Sequence, residues 1–171
     1  TRYKADGRAE VVIANAENSA AGRGITSTLA EELFAGGADI LTMGDHVWDQ
    51  KESLGLFDRD PRVIRALNLP PGCPGKGAAT IQTRAGPLAV VQLMGRTFMG
   101  ITADCPFRAM EEWLKKNAGA VKMIIVDMHA EATSEKVAMG KFLAGRVSAV
   151  LGTHTHIQTA DEAVTTRGTA Y

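Results

Sequence analysis

The sequence predicts an α/β fold in which parallel strands and one hairpin form a mixed sheet system. Apolar runs typical of buried strands alternate with helical patterns along the 171 residues, as expected of strand-helix repeats. A second signal is the Arg84-Ala85-Gly86-Pro87 turn between the runs at 79–83 and 88–93, which predicts an antiparallel pair inside an otherwise parallel pattern. A chain of this length is expected to form one domain, spanning residues 1–171.

Each element is predicted by a local pattern. A helix over 25–34 has apolar residues at helical spacing and ends at Gly36-Gly37, with Thr28 and Glu31 in capping-box register. Helices over 106–117 and 134–143 each place their apolar residues on one face. The predicted strands are residues 11–14, 38–43, 79–83, 88–93, 121–128 and 147–151.

Composition excludes several classes of protein. Nineteen basic and nineteen acidic side chains cancel, so the chain lacks the basic surface that bulk nucleic-acid binding requires. No apolar stretch approaches the roughly 18 to 20 residues that cross a bilayer, and residues 1–8 are too polar for a secretory signal. A cytoplasmic location is the simplest interpretation. Cys73 and Cys105 form neither a CxxC pair nor a disulfide framework, and the chain contains neither a P-loop nor a GxSxG motif.

The histidines indicate a metal site. All four stand at or just past the carboxyl ends of strand-like runs: His46, His129, His154 and His156. The run at 11–14 leads into Asn15-Ala16-Glu17-Asn18, and Asp45 precedes His46. Because ligands collect outside the carboxyl ends of strands in open α/β sheets, these side chains are expected to converge on one crevice. Imidazole and carboxylate together suit transition metals.

Some of these assignments have structural alternatives. In an extended chain residues i and i+2 point to the same side, so His154 and His156 can both face the crevice, although loop histidines are also often solvated. Asp45 can instead cap a helix over 48–56. The Asn18 side chain can instead simply stabilise a turn by hydrogen bonding to the backbone.

Five motifs, in order, resemble a known family. They are Ala14-Asn15-Ala16-Glu17-Asn18-Ser19-Ala20 with Gly24-Ile25-Thr26, Gly44-Asp45-His46-Val47-Trp48-Asp49, Gly95-Arg96-Thr97-Phe98-Met99, His129-Ala130-Glu131-Ala132-Thr133-Ser134-Glu135-Lys136, and Gly152-Thr153-His154-Thr155-His156. At these positions, which span almost the whole chain, the sequence is similar to the YmdB-type calcineurin-like metallophosphoesterases. The resemblance implies an α/β/β/α sandwich of two mixed sheets between helical layers. It also implies a dinuclear metal centre that hydrolyses phosphodiesters such as cyclic nucleotides.

The same resemblance implies roles for individual residues. Glu17 would bridge the two metals, and Asn18 and His156 would serve the first. The ligands of the second metal would be Asp45, His129 and His154. His46 would face the substrate as a general acid or as a clamp on the phosphate.

Two features depart from the family pattern. The family ordinarily has Asn in place of Asp45, and it begins with a strand ending in Gly-Asp, whose Asp is a first-metal ligand. Here that strand is absent, and the chain runs from Thr1, without a Met, to Tyr171, before the family's closing segment. The expectation is a fragment of a longer protein, without the N-terminal strand and the C-terminal segment, in which only the second metal has all its ligands.

The sequence therefore favours a metal-dependent phosphodiesterase, in which two cations about 3.5–4 Å apart share an activated hydroxide. Fe or Mn is expected, with Zn or Mg as alternatives. A phosphomonoesterase on the same centre and a non-catalytic metal-binding regulatory or scaffold protein stay open as other functions. The expected partner is a small phosphodiester such as a cyclic nucleotide, with no membrane, and a homo-oligomer stays open. Candidate acceptors for the ligand imidazoles are Asp127, Glu131 and Asp161.

Overall fold

The computed structural model describes residues 2–171, and its strands form two sheets. The strands are β1 (Ile13–Asn15), β2 (Ile40–Thr42), β3 (Val63–Ile64), β4 (Ala78–Thr83), β5 (Gly86–Met94), β6 (Met123–Ala130) and β7 (Ala149–His154). The helices are α1 (Arg2–Ala5), α2 (Ser27–Ala35), α3 (Leu54–Arg59), α4 (Pro106–Lys116) and α5 (Thr133–Phe142), with a 3₁₀ turn at Lys51–Ser53. Across the described residues, no helix has the length and apolar character needed to cross a membrane.

The first sheet is parallel and has the order β1-β2-β3, while the second has the order β4-β5-β6-β7. In the second sheet β4 and β5 form the expected antiparallel hairpin, and the remaining pairs are parallel. Strands β6 and β7 extend two and three residues beyond their predicted carboxyl ends, because parallel pairing continues to Ala130 and His154. The apolar run therefore ends before the strand does, because the hydrogen bonds of the strand continue into the segment that carries the histidines.

Three of the four predicted helices are confirmed within about two residues, and two details are wrong. The hydroxyl that caps α2 belongs to Thr26, not Thr28, and it accepts from the Leu29 amide at 3.2 Å. Thr26 is the last extended residue before the helix, which is where a capping side chain acts. No helix begins at Trp48: turns run through 45–48, and the 3₁₀ turn at Lys51–Ser53 precedes α3. Asp45 therefore caps no helix at that position.

The two sheets stack face to face through alternating apolar side chains. Ile13, Ile40 and Ile64, one from each strand of the first sheet, pack with Val90 and Ala79 of the second. Residues two apart on a strand share a face, so the intervening residues point outwards. On the first sheet those residues pack with α2 and α3, and on the second with α4 and α5. The four layers form the expected α/β/β/α sandwich.

The face of β5 and β6 towards the first sheet becomes polar near the carboxyl ends of the strands. The successive cross-strand pairs there are Val90 with Ile125, Gln92 with Asp127, and Met94 with His129. The Gln92 side-chain oxygen accepts from the Met43 amide at 2.7 Å. An Asp127 carboxylate oxygen accepts from the Thr42 hydroxyl at 2.6 Å. Both bonds are buried, so the sheets are joined by polar contacts directly beneath the edge where the histidines emerge.

Gly77 lies where the chain crosses from the first sheet to the second, and we predict that Gly77→Ala destabilises the fold. A Cβ there would lie 2.3 Å from Leu67 Cα. The Gly77 carbonyl and the Leu67 amide are both hydrogen-bonded to Gln92, at 3.0 and 2.7 Å, so neither backbone can move away freely. Urea denaturation should show a loss of about 1–3 kcal/mol in the free energy of unfolding.

Gly100→Ala is the matched control for this substitution, because a Cβ at Gly100 would meet open space. Its urea midpoint should stay close to that of the wild type. Equal losses in the free energy of unfolding for the two substitutions would show that the close approach of Gly77 to Leu67 does not constrain the fold.

Candidate metal centre

Four side chains from both sheets converge at the carboxyl ends of their strands. The ligand atoms of Glu17, Asp45, His129 and His154 all lie within 4.8 Å of one another. Glu17 and Asp45 follow β1 and β2, while His129 and His154 belong to β6 and β7. The strand-end positions predicted from the sequence are therefore brought together at the edge where parallel sheets hold ligands.

His129 directs one ring nitrogen at the centre of this group. Its Nε2 lies 3.0 Å from Asp45 Oδ1, 3.2 Å from Glu17 Oε1 and 3.1 Å from His154 Nδ1. Its Nδ1 lies 2.9 Å from the Thr153 hydroxyl oxygen. The single proton of that hydroxyl is donated to Asp127 Oδ1 at 2.6 Å, so the oxygen must accept from Nδ1–H. The hydrogen-bond network thus leaves the Nε2 lone pair facing the centre.

His154 is oriented in the same way from the other side. Its Nε2 lies 3.2 Å from a carboxylate oxygen of Glu131, which can only accept. The proton of a neutral ring is therefore on Nε2, and the Nδ1 lone pair faces Asp45 at 3.2 Å. The backbone φ of His154 is +100°, and this unusual conformation aims the ring inwards from the end of β7.

This donor set fits a bound cation. Two imidazole lone pairs and two carboxylates at such short range repel one another unless a positive charge lies among them. Space for an ion is kept by Gly44, since a Cβ there would lie 2.1 Å from both Glu17 Oε2 and His129 Nε2. Mixed imidazole and carboxylate ligation is typical of transition metals. The four residues and Gly44 therefore form a site suited to such an ion.

Burial and hydrogen bonding set the charges of the carboxyl groups. Burial raises the pKa of Glu17, and the neighbouring His129 opposes the shift. While no ion is bound, a hydrogen bond from a proton on His129 Nε2 holds the pKa of Asp45 well below its usual range; a bound cation would take the place of that proton. Burial also raises the pKa of Asp127, against the effect of its two hydroxyl donors, Thr153 and Thr42. A cation at the centre would favour the ionised forms of Glu17 and Asp45.

Three other predicted site residues lie around this group and are not part of it. The Asn18 side-chain amide donates to the Gly22 carbonyl at 2.7 Å, which is the turn chemistry left open by the sequence. His46 Nδ1 lies 2.9 Å from Asp49, while the His46 backbone amide donates to Glu17 Oε2 at 3.4 Å. His46 is therefore at the rim of the site. The metal role of Asn18 and the substrate role of His46 stay predictions.

His156 is exposed, outside the converging group. The extended chain on which the pairing of His154 with His156 is based does not continue past His154. Both residues have positive φ, +100° and +56°, so the chain turns at the end of β7 and the two-residue period of a strand is lost. A role for His156 at a first metal stays a prediction.

Two of the three suggested acceptors for the imidazoles are confirmed. Glu131 accepts from His154 directly, and Asp127 acts on His129 through Thr153. Asp161 instead accepts from the Thr159 hydroxyl. Sequence reasoning missed Thr153, although it pairs with His129 across neighbouring strands. The signal that could have found it is its position directly before His154, just past the carboxyl end of a predicted strand.

We predict that Thr153→Val weakens metal binding. The substitution removes the acceptor for His129 Nδ1–H, so the ring is no longer held with its Nε2 lone pair towards the carboxylates. Loss of such an orienting partner typically lowers metal affinity about 10- to 100-fold. Calorimetric titration of Mn²⁺ into metal-free protein measures the change, with circular dichroism to verify the fold.

Two variants distinguish this role from a structural one. Thr153→Ser keeps the hydroxyl and should restore the affinity, whereas Thr155→Val alters the threonine just past the end of β7 and should leave the affinity unchanged. Wild-type affinity in Thr153→Val would show that the hydroxyl does not orient His129.

Solved structures of other proteins share this fold. A Thermus thermophilus protein described only as hypothetical superposes with a TM-score of 0.91 and 43% identity, covering 98% of this chain and 65% of that one. A structure described as a novel phosphatase from Mycoplasma pneumoniae superposes with a TM-score of 0.90 and 32% identity, covering 99% of this chain and 62% of that one.

Sequence comparison gives a consistent result. The chain is 44% identical over 171 residues to a Bacillus subtilis protein named 2',3'-cyclic-nucleotide 2'-phosphodiesterase. That match covers 100% of this chain and 63% of the B. subtilis protein, so the chain spans less than two thirds of its relative. The sequence model of the YmdB-like proteins matches residues 1–171. The chain therefore belongs to the YmdB-like protein family.

Proposed function

We propose that this chain carries the metal centre of a phosphodiesterase that hydrolyses phosphodiesters of the cyclic-nucleotide class. The observation that carries the proposal is the convergence of two imidazole lone pairs on Glu17 and Asp45 around Gly44. The phosphodiesterase name of the B. subtilis relative supports the reaction class. The structure named as a phosphatase supports phosphoester chemistry more broadly.

The proposed cofactor is a pair of transition-metal ions, Fe or Mn, with Zn or Mg as alternatives. Asp45, His129 and His154 would hold the second metal, and Glu17 would be shared with the first. Asn18 and His156 are the proposed residues of this chain for the first metal. When bound, such ions neutralise phosphoryl charge and make water a stronger nucleophile.

His46 is the proposed proton donor or phosphate clamp. The Asp49 carboxylate accepts from its Nδ1 at 2.9 Å, and Arg23 donates to the same carboxylate at 2.8 Å. This arrangement holds the ring by one nitrogen and leaves Nε2 for the substrate. A proton on Nε2 could pass to the departing oxygen, whereas a phosphate oxygen could accept the same hydrogen bond without proton transfer.

A phosphomonoesterase on the same centre is the second candidate, favoured by the phosphatase description of the M. pneumoniae structure. A diester presents one negative charge and two ester oxygens, whereas a monoester carries up to two charges. The two substrates therefore differ in the charge that the centre must neutralise, and the name of the B. subtilis relative favours the diester. A non-catalytic metal-binding role is the third candidate function, and an experiment must distinguish it from the two enzymatic ones.

We expect the Mn²⁺-loaded chain to hydrolyse bis(4-nitrophenyl) phosphate faster than 4-nitrophenyl phosphate. A chelator should remove the activity, and His154→Ala should lower the diester rate by about two orders of magnitude or more, because one ligand and its link to Glu131 are lost. Release of nitrophenolate is the measurement.

The controls separate the three functions. Lys122→Ala, an exposed change on the loop before β6, should retain the wild-type rate. A faster monoester reaction would replace the proposal by the phosphomonoesterase. Tight metal binding without turnover of either ester would contradict catalysis by this chain.

A further inference from the structure

Strained backbone is confined to the edge of the sheets that carries the metal centre. Within residues 2–171, the non-glycine residues with positive φ are Ala21, Phe98, His154 and His156. They lie at the carboxyl ends of β1, β5 and β7 or in the loops that follow. Such conformations are unfavourable for L-residues and cluster at functional sites. His154 belongs to the centre, and Phe98 has no role in the chemistry described so far.

The contacts on either side of Phe98 place it at the rim of the centre. The Gly95 amide donates to the His129 carbonyl at 2.8 Å, and Phe98 follows three residues later, a reach of at most about 11 Å. On the other side, Met99 Sδ accepts from the Glu131 amide at 3.3 Å. Glu131 is the residue whose carboxylate contacts His154. Phe98 is therefore held between segments that contact two metal-site histidines.

The loop is fixed in this conformation by α5. The Glu135 carboxylate, in the first turn of that helix, accepts from the backbone amides of Arg96 and Thr97 at 3.0 and 3.1 Å. A Cβ at Gly95 would lie 2.6 Å from the same carboxylate, so the chain passes close beneath it. Phe98, which has the positive φ, comes directly after Arg96 and Thr97, whose backbone amides are both held by Glu135.

The ring of Phe98 gains almost no packing from this arrangement. Phe98 is 86% exposed, the highest value among the exposed large hydrophobic residues of the described chain, and its φ is +61°. Exposure of an aromatic ring and a strained backbone are both unfavourable. Their combination at the rim of a phosphoester site indicates that the ring contacts a bound molecule.

We propose that Phe98 is the nucleobase platform of this site: the base of a nucleotide substrate stacks on the Phe98 ring while its phosphate lies at the metal centre. The proposal rests on the proposed function and adds the residue that would bind the base of the substrate. An aromatic face suits this role because every base presents a π-face, and stacking tolerates differences between bases. The platform therefore selects nucleotides over other phosphodiesters without selecting one base.

Equilibrium binding tests this directly in the Mn²⁺-loaded chain. Calorimetry with adenosine monophosphate and with inorganic phosphate compares a ligand that has a base with one that has none. Phe98→Ala should weaken adenosine monophosphate binding about 5- to 150-fold, the range for loss of one stacked base, and leave phosphate binding unchanged. Phe98→Tyr keeps an aromatic face and should retain the wild-type affinity for both.

Val164→Ala is the matched control, an exposed apolar residue at 73% exposure in the segment after β7; it should alter neither affinity. Equal binding of adenosine monophosphate by Phe98→Ala and the wild type would overturn the platform. The platform would also be overturned if the wild type bound adenosine monophosphate no more tightly than phosphate. Loss of self-association in Phe98→Ala, measured by sedimentation, would overturn it too, because the ring would then belong to a contact between copies of the chain. Failure of the wild type to bind phosphate at all would instead overturn the proposed function beneath it.

Discussion

The buried carboxylate of Asp127 is the contact on which the rest of the site depends. It accepts from Thr42 of the first sheet and from Thr153 of the second, each at 2.6 Å. One carboxylate thereby joins the two sheets and sets the direction of the Thr153 hydroxyl. That hydroxyl orients His129, whose Nε2 reaches from the second sheet to Glu17 and Asp45, which both follow strands of the first. Fold and site therefore share this polar contact, which must stay intact for the ligands to meet.

Much of the fold could be read from the sequence because its signals are local and periodic. The hairpin, the parallel order around β6 and three helices follow from alternation, turn residues and apolar spacing. The polar edge was also visible, since Glu17, Asp45, His129 and His154 all follow apolar runs whose carboxyl ends meet in parallel sheets. These four residues were predictable because each lies near the carboxyl end of a strand. That assignment stays correct even when the predicted strand boundary is wrong by two or three residues.

The features that could not be read depend on individual torsion angles and hydrogen-bond partners. The positive φ values of His154 and His156 break the two-residue period, so a motif with two histidines contributes one to the converging group. Thr26 rather than Thr28 caps α2 because of where the extended chain ends. Thr153 was missed as an orienting residue because its role depends on a buried proton donated to Asp127, and the spacing of side chains along the sequence does not give the direction of a proton.

Anomalous X-ray diffraction from crystals soaked in Mn²⁺ tests the central claim most directly, because it locates the ion without reference to activity. A strong peak is expected among the carboxylates of Glu17 and Asp45, bonded to Nε2 of His129 and Nδ1 of His154. Thr153 should remain hydrogen-bonded to Nδ1 of His129. Absence of a peak at these four residues, or an ion bonded to Nδ1 of His129, would contradict the orientation that the Asp127 network imposes.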